Sequence, residues 1–217
     1  MGVTMGDETT ARSRKRRTTF VDERGWNAFS KFKAGIIGRK GETAVVREVR
    51  ALGFPALHDA ILADLFGLTQ IDHLVKGPDA IIVIETKTFG GHITGSRHGN
   101  EWVQHLVGGE IRHPFQNPVH QNHRHRQAVE AAVAGYDVPI IGYVVSAGSA
   151  TFAEELTGLV VPVDQFGEMF RDNPPRPHDP QMLDRAWRRL VDAVAAGEPR
   201  REEHQDLLRL RRSIDSH

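Results

Sequence analysis

Cysteine is absent from all 217 residues, which excludes disulfides, thiol catalysis and cysteine–zinc sites. No apolar run approaches the roughly 20 residues that a membrane span requires. The start is basic and polar without a following apolar segment, so it does not read as a secretory signal. Charge of one sign is missing too: 28 Lys+Arg stand against 28 Asp+Glu. Attraction to an acidic ligand must therefore come from local clustering. There is no Gly-Lys-Ser/Thr loop and no internal repeat, so no nucleotide cofactor is expected. These absences predict a soluble, cytoplasmic protein without a membrane partner. Nothing in the sequence selects an oligomeric state.

What is present suits one domain with extensions, long enough to bury a sizeable core. Residues 1–37 read as a basic tail, with the burst Arg12-Ser13-Arg14-Lys15-Arg16-Arg17, followed by a short helix carrying Trp26 and Phe29. The burst reads as a solubilising leader, with a phosphate-binding arm as the alternative. Residues 38–165 form the main domain, and 166–217 a C-terminal helical extension packed on it, with a tail. Within that extension, Asp179-Pro180 opens an amphipathic packing helix through Leu183, Trp187, Leu190 and Val194.

The most informative segment is a predicted hairpin. Gln70–Lys76 reads as one strand, Gly77-Pro78-Asp79 as a turn, and Ala80–Ile84 as a second strand running into Glu85-Thr86-Lys87. A turn centred on Pro78-Asp79 sets Asp72 opposite Glu85, at roughly 4.5–5.5 Å between Cβ atoms. A bulge at Pro78 would slip this pairing. By alternation Glu85 and Lys87 share a face, and Gln70 and Asp72 join it.

Two carboxylates held this close repel unless a cation or a proton sits between them. Mg²⁺ commonly binds through one or two carboxylates while keeping waters and substrate phosphates. A lysine beside it can orient or help deprotonate bound water. Metal-assisted phosphodiester hydrolysis suits this set best. The bland alternative is a surface ion pair of Lys87 with either carboxylate, worth about 0–1 kcal/mol.

Other residues follow from helix and turn patterns. A helix over about 41–52 ends at Gly53, and Glu42 lies on the inward side of its Val45, Val46, Val49 stripe. Asn117-Pro118 opens a long helix whose inward row runs Gln121, His125, Val129, Val133. Two polar groups in that row should face something polar, and the active-site end of the sheet is the expected place. Arg97, at the tip of a turn between strand-like segments 92–95 and 101–104, is a candidate phosphate contact. Trp102 on the second segment reads as core rather than as a base-stacking platform. Gln70, Arg97, Arg124 and His125 make up the candidate nucleic-acid contacts. A transition-metal site on His120, His123 and His125 is disfavoured, because side chains two apart on a helix diverge.

The motifs Gly41-Glu42, Gln70-Ile71-Asp72-His73-Leu74-Val75, Ile82-Val83-Ile84-Glu85-Thr86-Lys87, Gly91-x-Ile93-x-Gly95, Trp102, Asn117-Pro118 and Gln121 with His125 closely resemble, in order and spacing, the nuclease-related (NERD) domain. That family sits in the PD-(D/E)XK nuclease superfamily, and the resemblance covers roughly residues 38–146. It implies an α/β fold with a restriction-endonuclease-like core (helix, three-stranded meander, helix, strand), a mixed central sheet and an added C-terminal helix. It also implies Mg²⁺-dependent DNA cleavage, with Mn²⁺ as a substitute ion. Carried over, Asp72, Glu85 and the carbonyl of Thr86 would hold the metal, and Lys87 would serve the attacking water. Glu42 and Gln121 match the remaining catalytic positions. The other reading is a DNA-structure-binding module with weak turnover.

Overall fold

The computed structural model describes residues 41–65, 67–172 and 179–214. The basic burst and the Trp26–Phe29 segment lie outside the described residues. Helix α1 covers 41–52 and stops at Gly53, whose φ of +71° is left-handed backbone that glycine adopts without a Cβ penalty. Val45 and Val49 are fully buried on its inner face.

Strands β1 (Ala56–Asp64), β2 (Gly67–Lys76) and β3 (Ile81–Lys87) form an antiparallel meander. Lys76 pairs with Ile81 and His73 with Ile84, so the turn centres on Pro78-Asp79 and Asp72 comes opposite Glu85. Pro78 introduces no slip. Helix α2 (Pro118–Ala132) then carries the chain back, and β7 (Ile140–Ser146) runs parallel to β3.

A short strand, β9 (Val160–Pro162), completes a mixed sheet of order β1-β2-β3-β7-β9. Both faces of its centre are covered, which is why β3 reads as an unbroken apolar run. Helices α1 and α3 (Val163–Asp172) cover one face, over Ile82, Ile84, Val145 and Phe166. Helices α2 and α4 (Pro180–Gly197) cover the other, over Val83, Val129, Leu183 and Leu190. The core thus follows the order helix, three-stranded meander, helix, strand, with C-terminal helices α4 and α5 (Arg201–Ile214) added. Among the described residues, no helix is long and apolar enough to cross a membrane.

A second sheet has the order β6-β5-β4-β8, from β4 (His92–Thr94), β5 (Glu101–Leu106), β6 (Ile111–Gln116) and β8 (Thr151–Phe152). Trp102 is fully buried in its core, and its indole N–H donates to the Ser96 carbonyl at 2.8 Å. Its ring meets Phe115 edge-on, centroids 6.4 Å apart.

The contact of α2 with the sheet is close because β7 has no side chain at Gly142. Asn122 donates to the carbonyls of Val83 and Tyr143, each at 3.1 Å. A Cβ on Gly142 would lie 2.0 Å from the Asn122 Oδ1. Gly142→Ala is therefore expected to destabilise by about 1–3 kcal/mol. A lowered urea midpoint with an unchanged slope would register this.

Candidate active site

The β2–β3 ladder opens where the carboxylates meet. Ile71 and Leu74 both belong to the core on the α2 side although they are three residues apart, so strict alternation fails between them. The partner strand breaks in step: Leu57 and Ala60 also share that side, and Asp59 between them has φ +55°. Backbone of this kind re-aims a side chain at a sheet edge. Asp72, in the break, turns toward β3, and its Oδ2 accepts the Thr86 amide at 2.7 Å. A side chain thus replaces the ladder's backbone acceptor.

Glu85 is 1% exposed. Its Oε1 lies 2.6 Å from the Lys87 ammonium, and its Oε2 lies 3.0 Å from the Nε2 of His125. A carboxylate only accepts, so Nε2 is the donor. The other ring nitrogen lies 2.9 Å from the Thr69 hydroxyl. Lys87 also donates to the Gln121 Oε1 at 3.0 Å. The inward row of α2 thus meets the strand end as its polarity required.

Electrostatics divide the two acids. Burial, together with the nearby charge of Glu85, pushes Asp72 up to about 7, against the opposing pull of the Thr86 amide and Lys87. Burial also works to raise Glu85, but His125 and Lys87 more than offset it and hold that carboxyl below its usual value. One carboxylate is ionised and clamped; the other takes up a proton near neutrality. Two carboxylates sharing one site cannot both ionise freely, so one is held protonated.

These groups line a cleft of about 490 Å³, together with Glu42, Gln116, Arg124 and, from α5, His204 and Leu208. An adjoining cleft of about 440 Å³ shares Glu42, Gln70 and Asp72 and is backed by His58 and His73. Burial and the neighbouring His58 drive His73 down to about 4, so its ring is neutral.

The structure places several of these residues differently. Glu42 is exposed at the mouth of both clefts rather than turned inward, because the buried row of α1 runs Gly41, Val45, Val49 and Glu42 stands beside it; its charge still reaches Asp72. Gln70 does not share the face of Glu85 and Lys87. Thr69 and Ile71 beside it point toward α2, so Gln70 points the other way, where it hydrogen-bonds Asp59. His125 is 3% exposed with both ring nitrogens engaged, so it holds Glu85 and does not reach a phosphate. Arg124 lines the main cleft but is paired with Asp64 at 2.5 Å. Arg97 lies outside the cleft altogether, in a separate pocket with His120 and His123. The three histidines of the α2 segment thus divide between two places. Thr69, Gln116, His204 and Leu208 were not foreseen. The first two are ordinary strand residues in sequence, and the last two sit in a mixed-charge tail with no motif.

The donor set also fits a hard divalent ion. Each carboxylate oxygen has two lone pairs, so Glu85 can keep Lys87 and His125 while sharing an ion with Asp72. Within one strand residue the N–H and C=O point to the same side, so the Thr86 carbonyl faces the opened gap with its amide. Among the described residues no three His, Asp or Glu side chains converge as a metal cage. An ion held by two carboxylates and a carbonyl would keep its remaining positions for water and phosphate.

Architecture and strand-end chemistry together define an α/β protein with a nuclease-like core. The family comparison is specific: the nuclease-related domain, NERD, matches residues 37–147, just over half of the chain, and the protein belongs to that family. An uncharacterised protein of Bacillus anthracis is similar, 36% identical over 97 residues. The match takes in 43% of this chain and 45% of that relative, so it spans less than half the length of the curated protein.

Proposed function

We propose that the protein is a divalent-metal-dependent deoxyribonuclease that hydrolyses DNA phosphodiester bonds. The observation that carries this is the opposed pair Asp72 and Glu85, with Lys87 held 2.6 Å from one of them at the floor of an open cleft. Asp72, Glu85 and the Thr86 carbonyl would hold Mg²⁺ or Mn²⁺. When bound, the ion acidifies water and offsets charge on the phosphoryl oxygens.

The chain's own residues do the rest. An ammonium has three donors; Lys87 gives two to Glu85 and Gln121, and the third orients the attacking water or a phosphate oxygen. Gln121 fixes the lysine rotamer. His125, held by Thr69, fixes Glu85 so that its position does not drift as the site charges. Glu42 at the rim adds negative potential that favours cation entry.

Binding of DNA structures without efficient turnover is the second reading, favoured by the engagement of both Glu85 oxygens by Lys87 and His125. Product formation separates the two. Supercoiled plasmid incubated with pure protein and Mg²⁺ or Mn²⁺ is expected to convert to nicked or linear form, and EDTA to stop it. Intact plasmid after prolonged incubation with either ion would leave only the binding reading.

A further inference from the structure

Helix α2 separates two sites of opposite character. At 100° per residue, Gln121, Arg124 and His125 face the acidic cleft, whereas Val119, His123 and Arg126 lie on the far side of the helix. That far side forms a pocket of about 510 Å³ lined by Arg97, His98, His120, His123 and Arg126. Among the described residues no carboxylate lines it. In a chain with balanced total charge, this is a local segregation of positive and titratable nitrogen groups, the pattern that attracts an anion.

The pocket is built rather than incidental. Asn117, fully buried, caps α2 by accepting the Val119 amide at 2.9 Å. Its Nδ2 also donates to the carbonyls of Ser96, Arg97 and Gly99 at 3.1, 3.2 and 2.7 Å. One side chain therefore ties the loop carrying Arg97 and His98 to the helix carrying the other three groups. Gly158 lines the pocket with nothing within 4 Å of where a Cβ would stand, so a ligand can approach backbone there. Arg126 brings a second observation: its Nε is buried and has no hydrogen-bond partner. An unmet buried donor is costly. Among the described residues its terminal nitrogen pairs with Glu130, at 3.5 Å on an exposed face, a contact that contributes little.

We infer that this pocket is a second phosphate site, which grips the backbone of a nucleic acid at a phosphate remote from the one in the Asp72–Glu85 cleft. The identity of the ligand rests on the nucleic-acid reading of that cleft; the pocket's anion chemistry does not. The strand crosses the N-terminal half of α2 over His120 and His123. A helix with side chains is about 10–12 Å across, so the gripped phosphate lies further along the strand than the one at the cleft.

The test is binding of a fluorescein-labelled duplex oligonucleotide to the full chain in EDTA, where no turnover occurs, over a range of salt concentrations. Arg97→Gln with Arg126→Gln should weaken binding about tenfold or more at low salt. The logarithmic salt slope should become shallower by about 1, and Arg126→Lys should restore most of the loss. Matched thermal midpoints establish that the variants fold. Unchanged affinity and slope would overturn the inference, and so would a loss of affinity with no change in slope. Inorganic phosphate shifting the His120 and His123 resonances, in variants whose oligonucleotide affinity is intact, would overturn it in favour of a small-anion site. Because binding is read without metal, an inactive wild type would defeat the nuclease proposal and leave this one standing.

Discussion

Lys87→Ala should lower metal-dependent plasmid cleavage by about 10²–10³-fold, the scale of losing one preorganised charge donor at a transition state. No other ammonium among the described residues touches Glu85 or Gln121, so nothing nearby substitutes. Lys87→Arg should not recover the rate, since a planar guanidinium cannot present a single compact charge between those two oxygens. Glu85→Gln should fall at least as far. It keeps volume and can still accept from His125, so loss of activity with a preserved thermal midpoint would assign the effect to chemistry rather than folding. Single-turnover conversion of supercoiled to nicked plasmid is the measurement. Equal rates in wild type and Lys87→Ala would remove the lysine, and with it the proposed mechanism.

Asp72→Asn should stabilise the metal-free protein at pH 8 while removing its response to divalent ions. The folded state holds the Asp72 proton up to about pH 7, whereas an ordinary aspartate releases it near 3.8. Its favourable contribution is therefore complete below about pH 4 and is lost as pH rises through about 7. The difference amounts to about 4 kcal/mol, for a domain of this size on the order of 10 °C in thermal midpoint. Glu85 runs the other way: held below its usual value, it adds stability that is lost on acidification. Asparagine keeps an oxygen for the Thr86 amide but carries no charge to repel Glu85. In wild type, Mg²⁺ or Mn²⁺ should raise the midpoint more at pH 8 than at pH 5, because at the lower pH the ion competes with the proton. Thermal denaturation with and without EDTA would show it. A lowered midpoint for Asp72→Asn at pH 8, or an equal ion response in both proteins, would contradict the picture.

The two substitutions illustrate a familiar trade. On the proposed function, neutralising Asp72 would stabilise the fold and remove activity together.

Much of this site was legible in the residues. Pro78-Asp79 between two apolar runs set the register that opposes Asp72 to Glu85. The four-residue spacing of Gln121, His125, Val129 and Val133 placed two polar side chains against the strand end. These are local or near-local constraints: turn geometry fixes pairing, and helix periodicity fixes a face. Strand β6 was missed because Ile111–Gln116 is nearly all exposed and contains Pro114, at the edge of its sheet. Helix α3 and strand β8 were missed because their patterns are short and ambiguous against loop chemistry.

Sequence by itself determined the meander, the long helix, the apolar centre of the mixed sheet and the converging polar groups, since each depends on periods of two or 3.6 residues. Tertiary structure alone decided the rest. It broke the pleat at Asp59 and Asp72, which turned Gln70 away and aimed Asp72 at the Thr86 amide. It buried His125 against Glu85, moved Arg97 to the far side of α2, and set His204 and Leu208 on the cleft wall. Those outcomes depend on contacts between residues up to about 140 positions apart, such as Arg201 with Asp59, and no local period encodes a partner at that distance.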